Sequence, residues 1–76
     1  MTKPIDTTQP AQVGNRLVVR VAPETHDLGM GYRVRMFRLT HPRGRARLAG
    51  TGNFLSPGNA RAFATARGWT VIGPQS

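Results

Sequence analysis

Apolar and polar residues alternate through much of this chain, and the alternation falls into three blocks that predict strands. Residues 15–22, NRLVVRVA, put Leu17, Val19 and Val21 on one face and Arg16, Val18 and Arg20 on the other. Pro23 has no N–H to give to a ladder and reads as the end of this strand. The following ETHDLGMG holds two acids and two glycines and reads as a long hairpin loop. Residues 32–40 form the second strand, with Tyr32, Val34 and Met36 on one side and Arg33 and Arg35 on the other. Phe37 and Leu39 then follow the arginine phase. A bulge at Met36 and Phe37 returns both to the core, which needs its aromatics in so small a protein. Without a bulge, Phe37 stands among arginines as a stacking residue. Residues 41–44 make a turn, and 45–53, RARLAGTGN, predict a third strand with Ala46, Leu48 and Gly50 inward and Arg45, Arg47 and Ala49 outward.

The period changes after Ser56. Ser56 is a good N-cap and Pro57 suits the first helical position. Ala60, Phe63 and Ala64 recur at helical spacing to about residue 67, and Gly68 fits the position just past a helix end, with Trp69 folding back onto the last turn. The residues WTVI that follow make a short fourth strand or a hydrophobic clasp. Residues 1–13 are polar, contain Pro4 and Pro10, and read as a flexible N-terminal arm. The expectation is therefore one small α+β domain over 14–73 with a frayed tail at 74–76. It has a three-stranded antiparallel sheet packed on one C-terminal helix, β-β-β-α, with or without a final β. Its expected core is Leu17, Val19, Val21, Val34, Met36, Leu48, Phe54, Phe63, Trp69 and Ile72.

Composition changes this picture chiefly through charge. In 76 residues there are eleven Lys+Arg and three acids, a net charge of +8, and every basic residue but Lys3 is arginine. So lopsided a charge predicts an anionic partner: nucleic acid, an acidic protein surface or anionic lipid. Lipid is disfavoured, because the charge lies on strands while the helix carries only Arg61 and Arg67. No run approaches the ~18 apolar residues of a membrane span, and the N-terminus lacks the apolar region of a signal peptide. With no cysteine, thiol catalysis, disulfides and Cys-based zinc sites are excluded, which fits a cytoplasmic protein. For catalysis the acid–base groups are His26, His41, Asp6, Glu24 and Asp27. His26 and Asp27 adjoin each other beside Glu24, but on an expected flexible loop they lack the rigid frame a catalytic or metal site needs. GMGYR has no third glycine and opens no helix, so it is not a phosphate loop. The chain is expected to be no enzyme and to take no cofactor or metal.

On the predicted sheet, Arg16, Arg20, Arg33, Arg35, Arg45 and Arg47 share the face turned away from the helix, with Arg43 in the adjacent turn. Like charges across strands repel, and a bound polyanion relieves that cost. This makes a nucleic-acid-binding module the leading reading, with DNA favoured over RNA. The alternative is a small interaction module that binds and modulates an acidic host protein, through the same face or through a sheet edge. A monomer and an edge-strand homodimer are compatible with either. Pro42-Arg43-Gly44-Arg45 resembles the PRGR core of an AT-hook, which lies extended in the minor groove of A·T tracts. It is also an ordinary hairpin turn.

The alternating strand YRVRMFRL (32–39), the turn and strand PRGRAR (42–47) and the alanine-rich SPGNARAFATARG (56–68) together resemble a known class. They are similar to the arm-type DNA-binding domain of tyrosine-family phage integrases and to the related plant ethylene-response-factor domain. That resemblance implies a three-stranded sheet lying in the major groove with a helix behind it. It also implies Arg33, Arg35, Arg45 and Arg47 as groove-facing residues, and a free-standing module such as a phage directionality or regulatory factor.

Overall fold

A computed structural model describes residues 6–73. The elements are β1 (Ala11–Val13), β2 (Arg16–Gly29), β3 (Tyr32–Thr40), β4 (Asn53–Phe54), α1 (Pro57–Ala66) and β5 (Thr70–Val71). The α+β class holds: an antiparallel sheet with one helix packed on it, joined by a short final strand that runs parallel to β2.

The main ladder is longer than the alternation predicted. Strand β2 does not stop at Pro23, and the expected loop over 24–31 is mostly strand, pairing residue by residue with β3 from Arg20↔Thr40 to Gly29↔Tyr32. Proline is tolerated because β1 and β5 pair with β2 only as far as Val19, so one edge of β2 is open at Pro23 and asks for no N–H. The turn is two residues, Met30 and Gly31, with φ of 55° and 82°. Left-handed backbone at both central positions is the primed hairpin turn, whose twist matches that of the strands. The bulge also lies elsewhere than expected. The register shifts between Asp27 and Gly29, where Gly29 has φ 87°, and runs unbroken through Met36 and Phe37.

That register decides the faces. Val21↔Leu39 and Pro23↔Phe37 lie on the helix side, and Thr25↔Arg35 and Asp27↔Arg33 continue the same face beyond the helix. Leu39 thus reaches the core in the arginine phase without a bulge, while Phe37 stands half-buried on the same face beside Phe54 with Arg35 over its ring. The buried centre is Val19, Leu39, Leu48, Ala60 and Ala64, with Val21, Phe54, Phe63, Trp69 and Val71 packed around it. Val34 and Met36, expected in this core, lie on the reverse face, and Leu17 is 40 % exposed.

The helix follows its sequence signals. The Ser56 hydroxyl accepts from the Asn59 N–H at 3.1 Å, and Pro57 opens the first turn. At the other end Gly68, φ 80°, reverses the chain so that its N–H reaches the Thr65 carbonyl and the Trp69 N–H reaches that of Ala64, both at 2.9 Å.

The third strand is a correction. Residues 45–53 are not extended; the chain from 41 to 52 is a loop that touches the ladder at one bridge, Thr40↔Arg47, and only Asn53–Phe54 pair as strand. Its glycines set tight turns: Thr51 N–H returns to the Leu48 carbonyl at 3.3 Å, with Gly50 at φ 77° between them. Residues 11–13 of the expected N-terminal arm pair as a strand, and the expected frayed tail at 74–76 lies outside the described residues. Residues 1–5 lie outside the described residues, but β1 pairs with Arg16–Val18, and the Ala49 N–H donates to the Thr8 carbonyl at 2.9 Å.

Thr7 lies against Gly44, where a Cβ would come 2.9 Å from the Thr7 Cβ. Gly44→Ala should therefore lever the 6–10 segment off the loop. The expected result is a roughly tenfold fall in hydrogen-exchange protection at the Ala49 amide, with about 1 kcal/mol of global stability lost. Leu39→Ala, which empties the centre of the core, should cost about 2–5 kcal/mol in urea unfolding.

Candidate nucleic-acid interface

The predicted arginines do not share one face. Arg33 and Arg35 stand on the helix side of the ladder with Thr25 and Asp27. Arg35 lies over the Phe37 ring, 5.9 Å from its centroid. Phe37 pairs with Phe54, and the Phe54, Phe63 and Trp69 rings follow at centroid spacings of 5.3 and 6.4 Å. Arg67 closes the row, 4.6 Å from the Phe63 centroid and 5.5 Å from that of Trp69. Arginine planes on ring faces contribute about 0.5–1 kcal/mol at exposed sites and keep the guanidiniums in place.

Strand alternation puts Arg16 and Arg20 on the reverse face, and the Arg20 guanidinium lies against Gly73. The expected single arginine face is thus split, because the register sets Arg33 and Arg35 on the opposite face from Arg20 and because 45–53 is a loop and not a strand. Arg45 and Arg47 cross the reverse face as part of that loop. They line a shallow pocket with Glu24, His26, Arg38 and Asn53.

Arg43 sits in a turn in which the Gly44 N–H donates to the His41 carbonyl at 3.0 Å and the Arg43 N–H to His41 Nδ1 at 3.0 Å. His41 is buried, and Pro42 occupies the second position of the turn. PRGR is a turn, held at both its start and its glycine; an extended hook would have to break these bonds.

A cluster that sequence reasoning missed organises the reverse face. Arg38 donates through Nη1 to Glu24 Oε1 at 2.8 Å and through Nε to the Arg45 carbonyl at 2.7 Å, tying strand, strand and loop together. His26 Nε2 lies 2.8 Å from Glu24 Oε2 and 3.3 Å from Asn53 Nδ2. A proton on Nε2 serves Glu24 but faces the amide donor of Asn53, whose Oδ1 is buried without a partner. With the amide turned over, Oδ1 accepts from the same N–H, and the amide nitrogen takes the buried position without a partner. The missed signal was Glu24-x-His26 at strand spacing, hidden once the strand was ended at Pro23. His26 and Asp27, adjacent in sequence, point to opposite faces. Among the described residues no group of three His, Asp or Glu side chains could hold a metal ion.

Charge compensation is sparse. Of the arginines only Arg38 pairs with a carboxylate among the described residues. Asp27 turns its carboxylate onto the Gly29 N–H at 2.9 Å, and Asp6 accepts from the Thr8 N–H and hydroxyl at 3.0 and 2.6 Å. Comparison with protein-family models, curated proteins and solved structures finds no match to this chain. No helix among the described residues is long and apolar enough to cross a membrane.

The hydrogen bond from His26, with the Arg38 charge behind it and burial opposing, holds the Glu24 carboxyl below its usual range. A depressed folded value stabilises the fold above the unfolded pKa, and that contribution disappears as pH falls through the folded value. Melting followed from about pH 6 down to about pH 3 should show this loss, and Glu24→Gln should flatten it. A residual slope should remain, since the bonds from Thr8 lower Asp6 as well. An unchanged acid limb in Glu24→Gln would rule out the coupling.

Proposed function

We propose that this protein binds nucleic acid, with duplex DNA the favoured form, as a small basic module. The observation that carries the reading is the uncompensated charge: +8 overall, with a single arginine–carboxylate pair among the described residues. Each guanidinium that meets a phosphate releases condensed counterions, which is where such a surface gains affinity. The proposed contacts are Arg33 and Arg35 on the ribbon, Arg43, Arg45 and Arg47 on the loop, and Arg16 and Arg20 on the reverse face. Aromatic backing holds Arg35 ready beside Phe37.

The integrase-arm resemblance supports the same partner but not the same docking. There Arg45 and Arg47 would lie on a third strand beside Arg33 and Arg35, whereas here they belong to a loop on the other side of the ladder. A phage directionality or regulatory factor is the role that resemblance implies.

One observation favours the acidic-protein alternative. The outer parts of β2 and β3 have open edges, to which a partner strand could add. Stoichiometric protein binding that survives nuclease treatment would decide for it.

Affinity for mixed-sequence duplex, measured by fluorescence anisotropy at about 50 and about 200 mM salt, should fall steeply. Replacing Arg33 and Arg35 by alanine together should weaken binding and lower the log–log salt slope by about 2. Arg43→Ala should weaken A·T-rich and mixed duplexes alike, as a phosphate contact from a turn does. Absence of binding at the lower salt would remove the reading.

A further inference from the structure

The tip of the β2–β3 hairpin carries apolar surface that the fold does not use. Leu28, Met30 and Tyr32 are 68, 96 and 70 % exposed, grouped around one turn. This is costly in a chain whose buried centre holds so few large apolar side chains, and grouped exposed apolar residues mark a contact surface. Beyond Val19 on β2 and before Phe37 on β3 the two strands pair only with each other. The ribbon therefore projects, and the molecule measures 49 Å along its longest axis against 28 and 22 Å. Asp27, the acid nearest the tip, is turned back onto the Gly29 amide.

We propose that this hairpin is a wedge: on duplex DNA its tip enters the minor groove, inserts an apolar side chain between base pairs, and kinks the duplex toward its major groove while Arg33 and Arg35 hold the flanking phosphates. The inference rests on the nucleic-acid reading above. From Phe37 to the turn the ribbon reaches about 20 Å at about 3.3 Å per residue, beyond the ~7.5 Å depth of the minor groove. With Met30 at the base pairs, Arg33 lies about 7–10 Å behind it, level with the flanking phosphates. Leucine and methionine are among the side chains that unstack base steps in this way.

A minor-groove wedge kinks a duplex toward its major groove, so the arms turn away from the body and the phosphates flanking the kink meet Arg33 and Arg35, the arginines just behind the tip. An anionic membrane also accepts an apolar tip, but a flat surface meets only the end of the ribbon.

The test compares the wild type with Met30→Asn combined with Leu28→Ser. Asparagine tolerates the φ of 55° at position 30, and Asn-Gly is a favoured pair for this turn, so the hairpin is retained while the wedge is lost. Both proteins are added at low salt to a duplex of about 30 base pairs carrying a fluorescence-transfer pair at its ends. The wild type should shorten the end-to-end distance; the double variant should bind within about threefold yet leave the duplex straight, since phosphate contacts dominate affinity. Wild-type binding without shortening, or equal shortening by the variant, overturns the wedge and leaves the nucleic-acid reading standing. No binding by either protein overturns that reading itself. Tip-dependent binding to phosphatidylserine vesicles without duplex bending assigns the tip to a membrane and overturns the wedge.

Discussion

The left-handed pair Met30–Gly31 sets the register of β2 against β3, and the rest of the molecule depends on that register. Side chains alternate with a period of two, so a slip of one residue turns every side chain of a strand to the other face. In the observed register Leu39 lies opposite Val21, over the buried Ala60 and Ala64. A slip would bring Arg38 or Thr40 beneath the helix and send Leu39 to the reverse face. It would also part Arg38 from Glu24 and displace the Arg38 side chain that binds the Arg45 carbonyl in the 41–52 loop. The bulge at Gly29 absorbs the one extra residue that would otherwise impose such a slip.

With the register fixed, the distribution of charge follows. One acid is spent on organising the reverse face: Glu24 takes both Arg38 and His26. The other two cap local turns through Gly29 and Thr8. Beyond the Glu24–Arg38 pair, Asp27 lies opposite Arg33 but makes no ion pair with an arginine among the described residues. Self-repulsion of this kind weakens a compact state, and a chain of this size has little core with which to offset it. A polyanion that binds only the folded form stabilises it by mass action, so the same charge that burdens the free protein would strengthen the bound one.

Much of this was legible from residue order, and the failures share a cause. The helix was readable because its signals are local: Ser56 and Pro57 at one end, Gly68 and Trp69 at the other, each satisfying backbone groups within a few residues. The strands were harder, because what a strand tolerates depends on which edge is paired. Pro23 ends a strand only where its nitrogen faces a partner, and no local pattern reveals that β1 and β5 stop at Val19. Gly29 and Gly31 announce positive φ, but glycine composition alone does not separate a loop from a bulge followed by a primed turn. In 45–53 the alternation of arginine with small residues imitates a strand, while Gly50 and Gly52 break it. The arginine-rich character of the candidate interface was plain; its division between two faces was not, since that depends on register and on the loop.

The outer hairpin poses a separate physical question, because two strands without a third or a helix are marginal in water. Here the ribbon draws on local terms. The turn pair adopts the twist the strands require, Asp27 caps the Gly29 amide, Asp27 and Arg33 oppose each other as unlike charges, and Arg35 leans on Phe37, which is anchored through Phe54 and Phe63. Cross-strand terms of this sort contribute about 0.2–1 kcal/mol each. They hold the ribbon in shape from its base at Phe37 to the Asp27 and Gly29 pairs beside the turn. The ribbon's order is thus carried mainly by near neighbours along the chain, and the packed body adds to it only through Phe37.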